Sequence, residues 1–342
     1  MKALFRLFVQ FLNNNDLLGK ELIAVDGSKF GAVNSKKNNY NQHKIDRHLQ
    51  YIAERTEHYL REMDKLDSEE EQAEEGIINK EKVQQELKKL QGRKEKYQLL
   101  EEHLQQSGEE QISTTDPHSR ALILQRNIVE VSYNTQAAVD AKHNLLVHVE
   151  AINQTDRNAL HDTSTKAKVN RELSREDKLT ALADKGYHKG RELYRCAEEN
   201  TITLVPSKEH VDGNENGPQP ASYVEQFVYD KEKDLYTCPQ GCVLHTSGAW
   251  HLKKRSESIS YRFKKYRTPQ WQQCAVKHLC TGRKAGRQME RSEYQDTVDE
   301  NNKRVKEQAD LYKRRQAICE HPFGTIKRAW GYSYTLLKGR SK

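Results

Sequence analysis

Two aspartates stand where a sheet protein could hold a metal ion. Asp26 follows the apolar run 22–25 and Asp184 follows the apolar run 179–183, so each is predicted to end a buried strand. Ligands of open α/β sheets bind at strand ends, so the two side chains are expected to lie close together. Gly27, directly after the first aspartate, is predicted to allow a sharp turn and to leave room for a ligand.

The chemistry that two such carboxylates support is phosphodiester cleavage with divalent metal ions. Carboxylates a few ångströms apart repel each other unless a cation lies between them, and Mg²⁺ prefers oxygen ligands. Two such ions can activate a water and stabilise the leaving oxygen of a phosphodiester. The alternative interpretation is that each aspartate caps a turn, and residue types alone leave both interpretations open.

Four of the six cysteines form two pairs in the second half of the chain. Three residues lie between Cys238 and Cys242, and five residues lie between Cys274 and Cys280. This pattern is compatible with a structural zinc site that holds together a small β insertion with little core. Unliganded thiols are the alternative, and the two remaining cysteines are predicted to pack in the core.

The elements around the aspartates predict an α/β fold with a mixed sheet flanked by helices. Apolar runs and turn residues predict strands at 22–25, 128–133, 136–139, 145–151, 179–183 and 202–206. Apolar residues at helical spacing predict helices at 1–19, 41–66, 77–107, 156–169, 189–199 and 300–319. The pair 41–66 and 77–107 is predicted to form an antiparallel hairpin, because each helix has one apolar stripe to bury.

Charge is unevenly distributed along the 342 residues. The net charge is +7, from 57 Lys and Arg against 50 Asp and Glu, and the basic residues concentrate in 250–342. Tyr261 and Phe263 alternate there with basic residues, which predicts a strand with one basic face. Such a face suits a polyanion, and solvated surface is the alternative. No apolar run is long enough to cross a membrane, and the N-terminal stretch lacks a cleavage site, so a cytoplasmic protein is expected.

Several longer motifs carry a resemblance to a known family. The chain resembles the DDE transposases of bacterial insertion sequences, which have an RNase H-like catalytic domain. The matching motifs, in the order of that family, are Val25–Phe30, Asn34–Asn38, Thr115–Ser119, Val131–Asp140, Ala183–Tyr187 and Glu320–Arg328. Compared with the family, the chain is expected to lack the N-terminal helical domain and the extreme C-terminus.

The resemblance implies that Asp26, Asp184 and Glu320 bind Mg²⁺ or Mn²⁺ and catalyse DNA cleavage and strand transfer. Further residues are implied to contact DNA, with surface charge as the alternative for the last two: Tyr312, Arg315, Lys327 and Arg328. Four residues separate the arginine from the glutamate, one more than in the related signature. Asn134 and Gln136 share one face of a predicted strand, and lining the active site and satisfying the sheet are equally open roles for them.

The resemblance also implies partners and a division of the chain. DNA, both as insertion-sequence ends and as target, a homodimer, and a location at the bacterial nucleoid are expected. The alternatives are a catalytically inactive fragment that only binds DNA and a nuclease on the same fold. The predicted parts are 1–40 with the first helix and strand, a helical-hairpin insertion at 41–110, the core at 111–207, a cysteine-containing insertion at 208–299, and a C-terminal helix at 300–342.

Overall fold

A mixed sheet lies at the centre of the α/β part of the protein. The computed structural model describes residues 2–68, 74–124, 128–207, 220–254 and 260–339, with the backbone alone at 67–68, 74–78 and 220. The strands are β1 Leu22–Gly31, β2 Asn39–Asn41, β3 Gln111–Ser113, β4 Arg120–Ile123, β5 Val129–Asp140, β6 Leu145–Ile152, β7 Leu179–Leu182, β8 Thr201–Leu204, β9 Val228–Asp230, β10 Leu235–Thr237, β11 Val243–Lys253, β12 Tyr261–Arg267 and β13 Met289–Ser292. The helices are α1 Lys2–Asn14, α2 Gln42–Ser68, α3 Glu74–Ser107, α4 Leu160–Asn170, α5 Gly190–Glu198, α6 Lys277–Cys280, α7 Gln295–Glu307 and α8 Ala309–Gly324.

The central sheet has the order β4-β5-β1-β7-β8, with β6 also paired to β5. Strand β5 is antiparallel to β1, whereas β1, β7 and β8 are parallel to one another. Successive side chains of β1 point to opposite faces. Ile23 and Val25 therefore join a core that includes residues of α1, α4 and α5, and Ala24 joins a core on the other face with Ile318 and Cys319 of α8. The predicted α/β class is confirmed.

Three predicted element boundaries are wrong. Strand β1 does not end at Asp26 but continues to Gly31, because β5 pairs with it along its whole second half. The two strands predicted at 128–133 and 136–139 are one strand, β5. The first helix ends at Asn14, before the positive φ of Asp16, and not near Gly19.

The predicted C-terminal helix is also two helices. Helices α7 and α8 meet at Gln308, whose backbone (φ −114, ψ 37) interrupts the helical path. A π-helical turn, Thr325–Ala329, follows α8. The chain then runs along the end of β1, where the N–H of Gly31 donates to the carbonyl of Ser333 at 3.0 Å.

Helices α2 and α3 pack on each other in an antiparallel pair, as predicted. The imidazole of His48 stacks on the ring of Tyr97 at 4.6 Å, and Gln42, earlier in α2, bonds to Glu101, later in α3. The pair has its own apolar cluster, which includes Ile52 and is separate from the cores of the sheet. Residues 69–73 of the predicted connection lie outside the described residues.

The second sheet is a small antiparallel module of order β13-β12-β11-β10-β9. The strand predicted from alternation at 261–264 is present as β12. The core of this module is a cluster of five buried side chains: Phe227, Tyr236, Leu244, Tyr266 and Met289. The predicted boundary at 208–219 lies outside the described residues. No helix in the described ranges is long and apolar enough to cross a bilayer.

Candidate active site

Asp26 and Asp184 lie side by side at the point where two parallel strands separate. Strands β1 and β7 pair up to Ala24 and Leu182, so the two aspartates stand two residues beyond the same register position. Strand β7 ends at Leu182 and the chain enters a 3₁₀ turn, Lys185–Tyr187, while β1 continues. The divergence opens the edge of β1 beside Asp26.

Each aspartate also bonds to the backbone that follows it. Asp26 Oδ1 accepts from the N–H of Gly27 at 2.9 Å, and Asp184 Oδ1 accepts from the N–H of Gly186 at 2.8 Å. The turn-capping interpretation therefore holds for Asp184, which is the N-cap of the 3₁₀ turn. Capping and metal binding are compatible, because a carboxylate has two oxygens and several lone pairs.

The surroundings of Asp26 disfavour an uncompensated negative charge. Burial, together with the neighbouring carboxylates of Asp184 and Asp156, raises the pKa of Asp26 to about 6. The N–H of Gly27 and the guanidinium of Arg315 lower the same pKa. A cation placed between the acids would remove this penalty, because an opposite charge favours the ionised form.

Helix α8 brings Arg315 to the two aspartates. Arg315 is buried, and its Nη1 lies 3.4 Å from Cys319 Sγ while its Nη2 lies 3.3 Å from Glu320 Oε1. Asp26 and Asp184 are among the groups that raise the pKa of this guanidinium above its ordinary value, with Cys319 the largest. Tyr312, one turn earlier on the helix, is half-buried and also feels the charges of Arg315 and Asp184.

Glu320 lies at the rim of this group and not inside it. Glu320 comes five residues after Arg315, which places it about 140° around the axis of the α-helix from Arg315. Its side chain therefore points away from the face that Arg315 occupies. Cys319 is fully buried, whereas the Glu320 side chain is 53% exposed. Burial, together with the charge of Asp26, raises the pKa of the Cys319 thiol to about 12.

The acids do not converge on a common point in this arrangement. Among the ranges that the structure describes, no group of three or more His, Cys, Asp or Glu side chains could hold a metal ion. Asp26 and Asp184 form an acidic pair, and Glu320 stands apart in its ion pair with Arg315.

The two predicted basic residues after α8 differ in their surroundings. Lys327 Nζ donates to the carbonyl of Lys29 at 2.6 Å and lies 4.6 Å from the centroid of the Phe30 ring, at the open edge of β1. Arg328 is exposed. The structure therefore brings Lys327 to the strand that carries Asp26 and leaves Arg328 on the surface.

The sequence did not point to a third acidic residue, Asp156, which lies near the pair on the opposite face of the sheet. Its carboxylate accepts from Asn134 Nδ2 and Gln136 Nε2, each at 2.8 Å. Both donors are buried. Asn134 and Gln136, at alternate positions of one strand, were the signal in the sequence for such a partner. Buried side-chain amides need hydrogen-bond partners, and the backbone of the sheet does not supply them.

The four paired cysteines line a single cavity of about 50 Å³ in the β module. Cys238 and Cys242 are joined by a tight turn, in which the N–H of Cys238 donates to the carbonyl of Cys242 at 2.9 Å. All six cysteines are free thiols. The other two, Cys196 and Cys319, are buried, as predicted.

Comparison with known proteins bears on the helix that supplies Arg315. Residues 237–342 match a family model described as a transposase DDE domain. No curated protein and no solved structure matches the chain. The matched segment contains α8 with Arg315 and Glu320, and the two aspartates that face this helix precede it in the chain. Residues 237–342, less than a third of the chain, are therefore similar to the transposase DDE domain.

Proposed function

We propose that this protein cuts and joins the DNA of an insertion sequence by two-metal-ion chemistry at Asp26, Asp184 and Glu320. One observation carries the proposal. The partly buried Asp26 and its neighbour Asp184 face Arg315, which belongs to the helix inside the segment that matches the transposase DDE domain. An acidic pair compensated by a buried arginine suits a reaction on a phosphodiester.

The chain's own residues divide the work in this proposal. Asp26 and Asp184 would hold divalent ions, Mg²⁺ or Mn²⁺, because these ions prefer carboxylate oxygens as ligands. Glu320 would join them by turning its exposed side chain away from Arg315. When bound, such ions activate the attacking water or 3′-hydroxyl and stabilise the leaving oxygen. Arg315, released from Glu320, would donate to a phosphate through its planar fork.

DNA contacts are proposed for residues around the acidic pair. Tyr312 borders Arg315, and Lys327 is held at the edge of β1 where a strand of DNA approaching Asp26 would pass. Arg328 is exposed next to Lys327 and would contact phosphates farther out. Contacts of this kind give salt-dependent affinity without reading sequence.

Metal-dependent nicking of DNA by the purified chain tests the proposal. We expect nicking with Mg²⁺ or Mn²⁺ and none after Asp184→Asn, whose amide oxygen can still cap the turn at Gly186. Asp310→Asn is the matched control, since that aspartate lies exposed at the start of helix α8. Equal nicking by the wild type and the Asp184→Asn variant would show that the acidic pair is not the site.

The alternative function is DNA binding without catalysis. The outward position of Glu320, paired with Arg315, is the observation that favours it. It would hold if the wild-type chain binds DNA but cuts none with either metal.

We also propose that the central sheet is an RNase H-like core. The antiparallel order β6-β5-β1 followed by parallel β7 and β8 supports this, with the acidic pair at the divergence of β1 and β7. In this proposal the paired helices within 41–110 and the β module within 208–299 are insertions. The active form would be a homodimer that holds two DNA ends at the nucleoid, testable by light scattering with end-containing DNA.

A structural zinc ion is proposed for the β module. Cys238, Cys242, Cys274 and Cys280 line one cavity, and four thiolates suit tetrahedral Zn²⁺. In the described residues the four thiols are not arranged to hold a metal ion, so the two pairs would have to move together to bind zinc. Elemental analysis of the purified chain is expected to find about one zinc per chain. Loss of that zinc is expected in Cys274→Ser and not in the control Cys196→Ser. A metal-free wild-type chain with a stable module would favour unliganded thiols.

A further inference from the structure

A buried polar network lies on the sheet face opposite Asp26. In the pairing of β1 with β5, Gly27 is opposite Gln136 and Lys29 is opposite Asn134, so these four positions share one face. Asp26 is opposite Ala137 and points to the other face. The side chains of the network therefore lie on the face of the sheet behind Asp26.

Asp156 is the centre of this network. Its Oδ1 accepts from both Asn134 and Gln136, and its Oδ2 lies 3.5 Å from Lys29 Nζ. Gln136 in turn accepts at Oε1 from the hydroxyl of Tyr187 at 2.6 Å. Tyr187 is fully buried and is the last residue of the turn that Asp184 caps. The contacts thus run from β1, through Asp156 and Gln136, to the turn after β7.

Gly27 shows how tightly this carboxylate is seated. A Cβ atom at residue 27 would lie 2.1 Å from Asp156 Oδ1 and 2.3 Å from Gln136 Nε2, both far inside contact distance. Gly27 is not among the glycines with positive φ. The glycine beside the catalytic candidate Asp26 is therefore required for the approach of Asp156, and the turn and ligand space expected for it are not its reason.

We propose that Asp156 is a positioning residue, which fixes the separation of Asp26 and Asp184 by tying Lys29 on β1 to Tyr187 on the adjoining turn. The two acids belong to strands that have stopped pairing at this point, so no backbone ladder holds them at a set distance. The side-chain tie replaces that ladder. The proposal rests on the proposed function, because it assigns a consequence to the geometry of the acidic pair.

Graded variants at Asp156 separate positioning from folding. Asp156→Ala removes every contact of the carboxylate. Asp156→Asn keeps one oxygen for the two amide donors and loses the charge that faces Lys29. Lys29→Met removes the ammonium alone. Asp310→Ala, at an exposed aspartate on α8, is the control.

The Mn²⁺ dissociation constant is measured by electron paramagnetic resonance, and kcat and KM are measured for nicking. All measurements are made at a temperature below the lowest melting temperature among the wild type and its variants. Partners that orient metal ligands typically contribute about 10- to 100-fold in metal affinity or activity. We expect a loss of that size in Mn²⁺ affinity and kcat for Asp156→Ala, partial rescue in Asp156→Asn, and an unchanged KM for DNA.

The outcomes distinguish this proposal from the function on which it rests. A wild-type chain that neither binds Mn²⁺ nor nicks DNA overturns both. A wild type that does both, beside an Asp156→Ala variant with unchanged Mn²⁺ affinity and kcat, overturns the positioning role alone. A change confined to melting temperature or to KM also overturns it. If Asp156→Ala does not fold, Asp156→Asn and Lys29→Met decide by the same criteria.

Discussion

Asp26 is partly buried at the centre of the site, with Asp184 beside it and Asp156 on the opposite face of the sheet. Burial is the largest cause of its raised pKa, about 6 against 3.8 for an unperturbed aspartate, and Asp184 and Asp156 add to it. The guanidinium of Arg315 lowers the pKa of Asp26 but offsets only part of the increase. A residue held in this way opposes folding when ionised, which is common where a site is arranged to bind a cation.

The pH dependence of stability follows from that shift. The folded state keeps a proton on Asp26 up to about pH 6, whereas the unfolded chain loses it near pH 3.8. The neutral carboxyl therefore favours folding below pH 3.8, and this contribution is lost as the pH rises through 6. In metal-free buffer we expect Asp26→Asn to raise the free energy of unfolding at pH 7 by on the order of 2 kcal/mol.

Urea denaturation at several pH values with a chelator measures this effect. The gain from Asp26→Asn should shrink towards zero at pH 4, and the same variant should not nick DNA. The exposed Asp310→Asn should show no such gain. A variant less stable than the wild type at pH 7 would contradict the assigned surroundings of Asp26.

At the scale of elements, a buried ion pair joins α4 to the central sheet. Arg171 follows α4 and Asp140 ends β5, and both side chains are fully buried with Nη1 and Oδ2 3.0 Å apart. Asp140 also accepts from the N–H groups of Gly19 and Lys20, just before β1. One carboxylate therefore fixes three segments that define the edge from which β1 runs to Asp26.

Removing one partner of this pair should be costly. Arg171→Met leaves the buried Asp140 charge uncompensated, for which we expect a loss of about 3–5 kcal/mol in the free energy of unfolding. The double variant Arg171→Met/Asp140→Asn should recover part of that loss, because no unpaired charge remains. Chemical denaturation of the single and double variants measures both effects. Losses that simply add would show that the two side chains do not interact.

At the scale of the whole molecule, the helix pair α2–α3 has a core of its own. Its apolar cluster is separate from those on either face of the central sheet, and the short sheet of β2 and β3 closes its base. Separate clusters predict separate cooperative units. We therefore expect the helix pair to open without unfolding the sheet that carries the acidic pair.

Ile52→Ala tests this independence, since Ile52 is 1% exposed and belongs to the cluster of the helix pair. The loss of a buried side chain of this size costs about 2–5 kcal/mol. Hydrogen exchange should lose protection in α2 and α3 and keep it in β1, β5 and β7, with nicking unchanged. The control Ile23→Ala, in the core of the sheet, should lower protection in those strands. Equal loss of protection throughout after Ile52→Ala would mean one cooperative unit.

The sequence by itself determined the features that depend on local pattern. Apolar runs located the strands around Asp26 and Asp184, helical spacing located the pair α2–α3, and the alternation at 261–264 located β12. One of the motifs that resemble DDE transposases, Glu320–Arg328, lies within the segment 237–342 that matches the transposase DDE domain. These features could be predicted because neighbouring residues in the chain alone decide them.

Only the tertiary structure decided which distant groups share one space. Strand β1 runs past Asp26 because β5 pairs with it, Gly27 is required because Asp156 fills the space beside it, and Glu320 faces outward because α8 turns Cys319 inward. Each outcome depends on contacts between residues far apart in the chain, and no local spacing encodes them. The sequence thus identified Asp26, Asp184 and Glu320 as candidates, and tertiary packing determined the position of each side chain.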